Sequence, residues 1–296
     1  MEWANSLIEA IDYIEDNITN DLQIEDIAKH IGISSFYFQK SFQIVTGYSI
    51  GEYIRNRKLY LAAAELSNSN LRIIDVAYKY GYETPEAFSK AFSRFHGVSP
   101  VLVKKGSNFK SFHKLKFKIS IEQGEEMEVK ITPMFPIKLI GFESEFNFET
   151  SYQEIPKYWD EICEKYCKRI YAGQDPVTPE EKAVVDNCIG EYALCMDGNN
   201  NSKTFKYMIA GRYTGGEVPK GMKLVELERG EWAVFDCYGP NPKTLQETNT
   251  KVFNEWIPNN KEYEVRDNYS IEWYDCTTDM DDPKYHSAIW IPVKKK

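Results

Sequence analysis

Histidine is scarce in this sequence and cysteine little commoner, with 4 and 6 among 296 residues. The histidines, His30, His96, His113 and His286, are scattered, with no HxxxH spacing and no CxxC to join. Cys163 and Cys167 stand four apart on one helical face, but two thiols fall short of a zinc ligand set, so no metal and no cofactor is expected. Half-buried or buried thiols are the default reading of that pair. Irregular cysteine spacing in a chain of this length fits a reducing compartment better than a disulfide framework. No run of eighteen apolar residues occurs, which excludes a transmembrane helix. The first 21 residues contain no Lys or Arg, so the basic opening of a secretory signal is missing and a cytoplasmic protein is expected. GxSxG, Walker and dinucleotide-glycine motifs are absent as well. The glycines of TGGEVPKG at 214–221 follow a strand without a helix-start and lysine signature, and read as a loop.

What the chain does contain is an uneven distribution of charge. The net charge is −9, unpromising for a nucleic-acid binder. Residues 22–118, however, hold fifteen Lys and Arg against seven Asp and Glu, a balance of +8, while residues 119–296 carry −11. A basic block joined to an acidic one implies a different partner for each.

The basic block repeats itself. DIAKHIG at 26–32 returns as DVAYKYG at 75–81. Up to the glycine the offset is 49 residues, and beyond it 50, because Phe38, Lys40, Phe42 and Gly47 return as Phe88, Lys90, Phe92 and Gly97. The slip falls in a turn, where an insertion costs least. Each copy has a short helix, a glycine able to take positive φ, a Ser or Thr cap (Ser34 or Ser35; Thr84, followed by Pro85), and a second helix ended by glycine. That is a helix-turn-helix, twice. Between them SIGEYIRNRKLYLAAAELSNS has good helix formers and no proline, giving a rod of roughly 27 Å for about eighteen residues. Such a rod is of the order needed to hold two helices in successive major-groove segments, about 34 Å apart.

On IEDIAKHIGIS…TGYSIGEYIRNRKLYLAA and IIDVAYKYGYETPEAFSKAFSRFHGVSP, residues 5–105 resemble the AraC/XylS-type DNA-binding domain. The resemblance implies seven helices and double-stranded DNA as partner. By position it puts the groove-facing residues at Ser35, Phe36, Gln39 and Lys40 in the first unit and at Thr84, Pro85, Glu86, Ser89 and Lys90 in the second. Gln39 suits an adenine edge, and Lys40 a guanine edge or phosphate. Ser35, Thr84, Arg55 and Arg94 suit phosphate. Phe38, Phe42, Phe88 and Phe92 fall on the opposite, core-facing stripe. Two features depart from the usual pattern. Phe36 and Tyr37 make the first face aromatic, for a thymine methyl or for packing. Glu86 puts an acid on the second, to accept from cytosine or to weaken the grip on phosphate.

The acidic half has a different texture. Residues 106–126 read as a polar linker, placing domains at 1–108 and 127–296 with 109–126 between. MEVKITPMFPIKLIGFESEF alternates as strand, and SYQEIPKYWDEICEKYCKRI is an amphipathic helix. GEYALCMDG and KYMIAGRYT are strands around an NNNSK turn. LVELERGEWAVFDCYG (strands about an Arg-Gly turn), NPKTLQETNTKVFNEWIP (helix), NYSIEWYD and HSAIWIPV repeat the plan. The fold class is therefore multidomain: an N-terminal all-α domain with two helix-turn-helix units joined by a long helix, then an α+β domain with a curved antiparallel sheet and two helices on one face.

GEWAVFDCYGP, FNEWIP, SIEWYD and AIWIP make residues 127–294 similar to the GyrI-like effector-binding domain, and the two domains in this order resemble Rob-type regulators. The resemblance implies a small apolar or cationic effector bound over Glu272, and RNA polymerase as a further partner. Alternation puts Glu272 and Tyr274 on one strand face and Ile271 and Trp273 on the other. The expected cavity wall is Trp159, Tyr158, Tyr192, Tyr207, Trp232, Trp256, Tyr274 and Trp290. A carboxylate among aromatic rings is poorly solvated, so a lipophilic cation gains a charge pair and cation–π contacts. Two other readings stand beside this one. Glu272 can be a solvent-facing residue with a lysine partner. The domain can also be a hydrolase or drug-sequestering module, with Glu272 as base.

Overall fold

A computed structural model describes residues 2–116, 127–197 and 203–296. The chain divides into two compact units, Met1–Ile121 and Glu122–Lys296.

The first unit is helical: α1 (Glu2–Asp16), α2 (Ile24–His30), α3 (Ser35–Thr46), α4 (Ile50–Asn68), α5 (Ile73–Lys79), α6 (Pro85–His96) and α7 (Pro100–Lys104). Each repeat folds as its sequence dictates. Gly32 and Gly81 make the turns with φ of 68° and 83°, a conformation that costs a side-chain-bearing residue energy. Four residues separate α2 from α3 and five separate α5 from α6, so the one-residue slip lies in the turn. Ser34, rather than Ser35, caps α3 by accepting from the Tyr37 amide, and Thr84 caps α6 through the Ala87 amide. Ser49 and Glu52 form a reciprocal capping box at the start of α4. At 19 residues, α4 is about 28 Å long.

Each helix-turn-helix has its own core. Phe38 and Phe42 pack with Leu7, Ile11, Ile27 and Tyr53, while Phe88 and Phe92 pack with Leu59, Ala62, Leu66 and Val76. One end of α4 serves each core, which makes the rod the joint between them. Residues 109–116, the first part of the expected linker, lie against this same unit. Phe109 packs on the second core, and Phe112 and Leu115 on the first. Arg57 of α4 fixes the segment by donating from Nη1 to the Phe112 carbonyl (2.6 Å) and from Nε and Nη2 to both oxygens of Glu15 (2.7 and 2.5 Å). The rest of that expected linker, 117–126, lies outside the described residues.

The second unit runs β1 (Lys130–Met134), β2 (Ile137–Asn147), α8 (Ser151–Ile162), a π-helical turn (Cys163–Cys167), α9 (Lys168–Tyr171), α10 (Pro179–Asp186), β3 (Tyr192–Asp197), β4 (Thr204–Arg212), β5 (Lys223–Leu227), β6 (Gly230–Tyr238), α11 (Lys243–Lys251), a second π-helical turn (Val252–Trp256), α12 (Ile257–Asn259), β7 (Tyr263–Val265), β8 (Tyr269–Tyr274) and β9 (His286–Lys295). The NNNSK turn falls almost wholly on 198–202, outside the described residues. All the pairings are antiparallel, in the order β1-β6-β9-β8-β3-β4-β2-β5, with β7 beside β9.

Two short links fix the shape of this sheet. Phe135 and Pro136 alone join β1 to β2, and Glu228 and Arg229 alone join β5 to β6. Each link connects strands six places apart in the order. In a flat sheet that is about 29 Å, whereas three backbone steps reach only about 10 Å. The sheet is therefore rolled until its ends approach. Met134, Trp232, Ile137 and Leu227, from both ends, share one core cluster with Leu194, Met208 and Ile271 from the middle. That cluster fills the inside of the roll. The Arg-Gly turn is consequently a corner and not the hairpin its sequence suggests. At that corner the Arg266 guanidinium lies in the space beside Gly230 that a Cβ would take, and Arg266 Nη1 donates to the Arg229 carbonyl (2.8 Å).

The strand order also reads the same from either end once the two halves are exchanged (β1 for β5, β2 for β6, β3 for β8, β4 for β9). Each half is strand–strand–helix–strand–strand, and each long helix carries a π turn. Strands β3 and β8, one from each half, pair at the centre of the sheet.

Candidate functional site

Two regions carry the expected function, one in each unit. In the first unit, α6 turns Phe88 and Phe92 into the core and leaves Glu86, Lys90 and Arg94 exposed, four residues apart on one face. Thr84 is exposed at its start, and Pro85 and Ser89 are half-buried. The α3 helix differs. Ser35 and Lys40 are half-buried, but Phe36 and Gln39 are buried, at 1% and 6% exposure, rather than standing on an open face. The Phe36 ring meets Tyr37 edge-on (5.3 Å between centroids) with Lys40 Nζ 6.0 Å from its centroid, so of its two readings packing is the one the structure displays. Arg55 is exposed on α4.

In the second unit, register settles which side chains share a face. Glu272 on β8 lies between Ala193 on β3 and Ile289 on β9, and Cys195 lies beside Tyr207. Alternation puts Glu272, Tyr274 and Tyr207 on the outer face of the roll, opposite Ile271. The helices cover that face. Tyr158 meets Phe146 (5.4 Å) and Trp256 meets Phe235 (5.0 Å), both rings belonging to the same side of the sheet.

The Glu272 carboxylate puts a charge on that face. Its Oε2 accepts from the Tyr274 hydroxyl (2.8 Å) and from the Tyr207 hydroxyl (3.1 Å). Trp159 Nε1 on α8 donates in turn to the Tyr207 oxygen (3.0 Å), and its ring stands edge-on to Tyr274 at 5.6 Å. Among the described residues no lysine or arginine pairs with Glu272. Burial, and then the Glu272 charge, push the Tyr207 and Tyr274 phenols well above their ordinary range. They therefore stay protonated and act as fixed donors. A carboxylate that accepts two phenolic hydrogen bonds is held in one orientation, an arrangement suited to meeting positive charge.

The expected wall is brought together only in part. Trp159, Tyr207 and Tyr274 surround Glu272 directly. Trp256 lies on the same side of the sheet, but its partner Phe235 is two strands from Glu272. Tyr158 packs on Phe146. Tyr192, Trp232 and Trp290 lie on the inner face, where Trp290 meets Tyr192 (6.0 Å) and Trp232 (6.4 Å), so they belong to the core of the roll and not to the site. Sequence reasoning missed Tyr152, in the first turn of α8 and 53% exposed. Desolvation by the surrounding protein, and then the Glu272 charge, push this phenol up to about 12. Its place seven residues before Trp159, two helical turns along one face, was the available signal.

Comparison with known proteins agrees with this division. A helix-turn-helix domain family matches residues 27–105, and the GyrI-like small molecule binding domain family matches residues 127–294. The HTH-type transcriptional activator AarP of Providencia stuartii is 40% identical over 102 residues, 34% of this chain and 76% of AarP. The multiple antibiotic resistance protein MarA of Escherichia coli is 36% identical over 90 residues, 30% of this chain and 71% of MarA. A solved structure, SAV2435 bound to tetraphenylphosphonium, is 22% identical with a TM-score of 0.46, and the match covers 57% of this chain and 94% of that one.

Proposed function

From a chain that belongs to the AraC-type helix-turn-helix regulators through its first unit and to the GyrI-like small-molecule-binding family through its second, we propose that the effector is an aromatic organic cation held over Glu272. DNA binding and transcription regulation come with the first family, and small-molecule binding with the second. The carrying observation for the effector's class is the Glu272 carboxylate. It is aimed by two phenols, flanked by an indole, and paired with no lysine or arginine among the described residues. A cation entering there meets a full negative charge and π faces together, and the phenols have already oriented the charge before the ligand arrives. Calorimetric titration with an N-methyl-arylpyridinium and with its neutral aryl-toluene isostere tests this reading. At least a ten-fold preference for the cation is expected, and equal affinities would remove the charge from the account.

On the DNA side, α3 and α6 are the groove-entering helices, held in successive groove segments by α4. Lys90 and Arg94 on α6 supply phosphate contacts together with Thr84, as do Ser35, Lys40 and Arg55 on the other elements, while Glu86, Ser89 and Pro85 meet base edges. Effector binding alters transcription by shifting the population of states competent for DNA or for RNA polymerase. Lys90→Ala is expected to weaken binding to specific and random duplexes alike. It should also reduce the slope of log K against log salt by about 0.9, one phosphate's worth. Loss confined to one base position of the site would instead make Lys90 a base reader.

A further inference from the structure

We propose that residues 109–116 are a positioning strap for DNA recognition, a second joint between the two helix-turn-helix units in which Phe112 fixes the angle between α3 and α6. The inference rests on the reading of both helices as groove-entering. The helix-turn-helix family match stops at residue 105, so the strap lies beyond what that family accounts for.

The segment has no helix or strand, yet it is pinned at every third residue. Phe109, Phe112 and Leu115 are half-buried, and the residues among and after them are exposed. Its first half grips the end of α6. Lys110 Nζ lies 4.9 Å from the centroid of the Phe95 ring, and Phe109 meets His96 edge-on at 5.8 Å. Its second half grips the other unit, where Lys114 pairs with Asp12 on α1 and Leu115 packs on the first core. Phe112 stands between and touches both. Its ring meets Phe95 of α6 at 6.0 Å, Tyr48 just before α4 at 5.4 Å and Tyr53 near the start of α4 at 6.0 Å. Phe95 packs on the second core, and Tyr53 belongs to the first. Arg57 holds the Phe112 backbone in place through its carbonyl.

A duplex demands two things of the paired units, a spacing and a relative rotation. The rod α4 sets the spacing. A second connection beside the rod opposes rotation about it, because such a turn would pull the Phe112 ring from one unit or the other. The effect on binding follows from populations. If loss of this clasp lets the competent orientation fall to about a tenth of the ensemble, the apparent Kd rises about ten-fold. A duplex that engages one helix only is indifferent to the angle.

Two probes test this with the full chain. One is a duplex that the native chain selects from a random pool. The other is the same duplex cut to about 10 base pairs, one helical turn, so that a single recognition helix engages. Phe112→Ala is expected to weaken binding to the long duplex by about ten-fold or more and to the cut one by less than about two-fold. Phe95→Ala is expected to do the same from the α6 side, and the double variant no more than the worse single, since both changes open one clasp. Phe95→Ala leaves the first core untouched, so it decides the matter if Phe112→Ala does not fold. Equal weakening on both duplexes would overturn the inference, because the rings would then support the fold of one unit and not the angle between two. Native affinity for the long duplex in these variants would overturn it as well, and would leave the DNA reading standing. A native chain that selects no duplex at all would remove that reading and this inference with it.

Discussion

Arg57→Ala is expected to cost the helical unit about 3–5 kcal/mol, the usual price of stranding one partner of a buried ion pair. The Arg57 and Glu15 side chains are only 7% and 12% exposed. Three guanidinium nitrogens are committed, two to Glu15 and one to the Phe112 carbonyl, and Tyr53 adds a donor to Glu15 Oε1 at 2.7 Å. Removing the arginine leaves a carboxylate in the core with one phenol for company and a backbone carbonyl with no donor. The loss should appear as faster hydrogen exchange at the α4 amides and release of residues 109–116. Replacing the pair by Leu and Met at once should recover most of the loss, because two apolar groups need no partner. A cost under 1 kcal/mol for the single change would show that water reaches the pair. The sign with pH follows from Glu15. Burial raises its pKa, but the hydrogen bonds from Arg57 and Tyr53 outweigh that and leave it lowered. Its contribution is therefore fully present above the unfolded value near 4.5 and is lost as pH falls through the lower folded value.

Glu272→Gln is expected to weaken aromatic cations by 10- to 100-fold, about 1.4–2.8 kcal/mol, and neutral isosteres by less than three-fold. Glutamine keeps the side chain's shape and removes its charge. Its amide can accept from one phenol, while the other must rotate to meet an N–H group. The cation then loses its counter-charge but keeps the rings of Trp159 and Tyr274. Equal loss for charged and neutral ligands would mean that the substitution damages the pocket and says nothing about charge. The contrast between the two ligand series, measured by titration of both proteins, therefore carries the result.

The helical unit was largely legible because its information is local. The turn glycines, the caps at Ser34 and Thr84, and the phenylalanines at spacing four each declare themselves within a few residues, and a second copy repeats the declaration. What the sequence hid there was the burial of Phe36 and Gln39. The second unit was legible as elements and less so as an arrangement. Alternation assigned Glu272 and Tyr274 to one face correctly, because period two needs no partner strand. It offered no means of deciding whether Tyr192, Trp232 and Trp290, on three other strands, shared that face. That depends on register and on the roll of the sheet, and both are set by pairings between residues far apart in the chain. The break at Phe135 and Pro136, which divides the single expected strand into β1 and β2, was not anticipated. Even a two-residue link there would have suggested a hairpin and not a corner. The short helix α10 was not anticipated, although Thr178, Pro179 and Glu181 spell its cap and first turn.

The centre of the rolled sheet is a seam between two copies of one structural plan, and the acid sits on only one side of it. Trp159 and Tyr207 come from the first copy, Glu272 and Tyr274 from the second. Neither copy alone possesses the full group of side chains, so a guest held over Glu272 as proposed acts as a rivet through both. Its affinity is then also a measure of how firmly the copies are held together, since whatever binds only the joined form stabilises the joint by mass action.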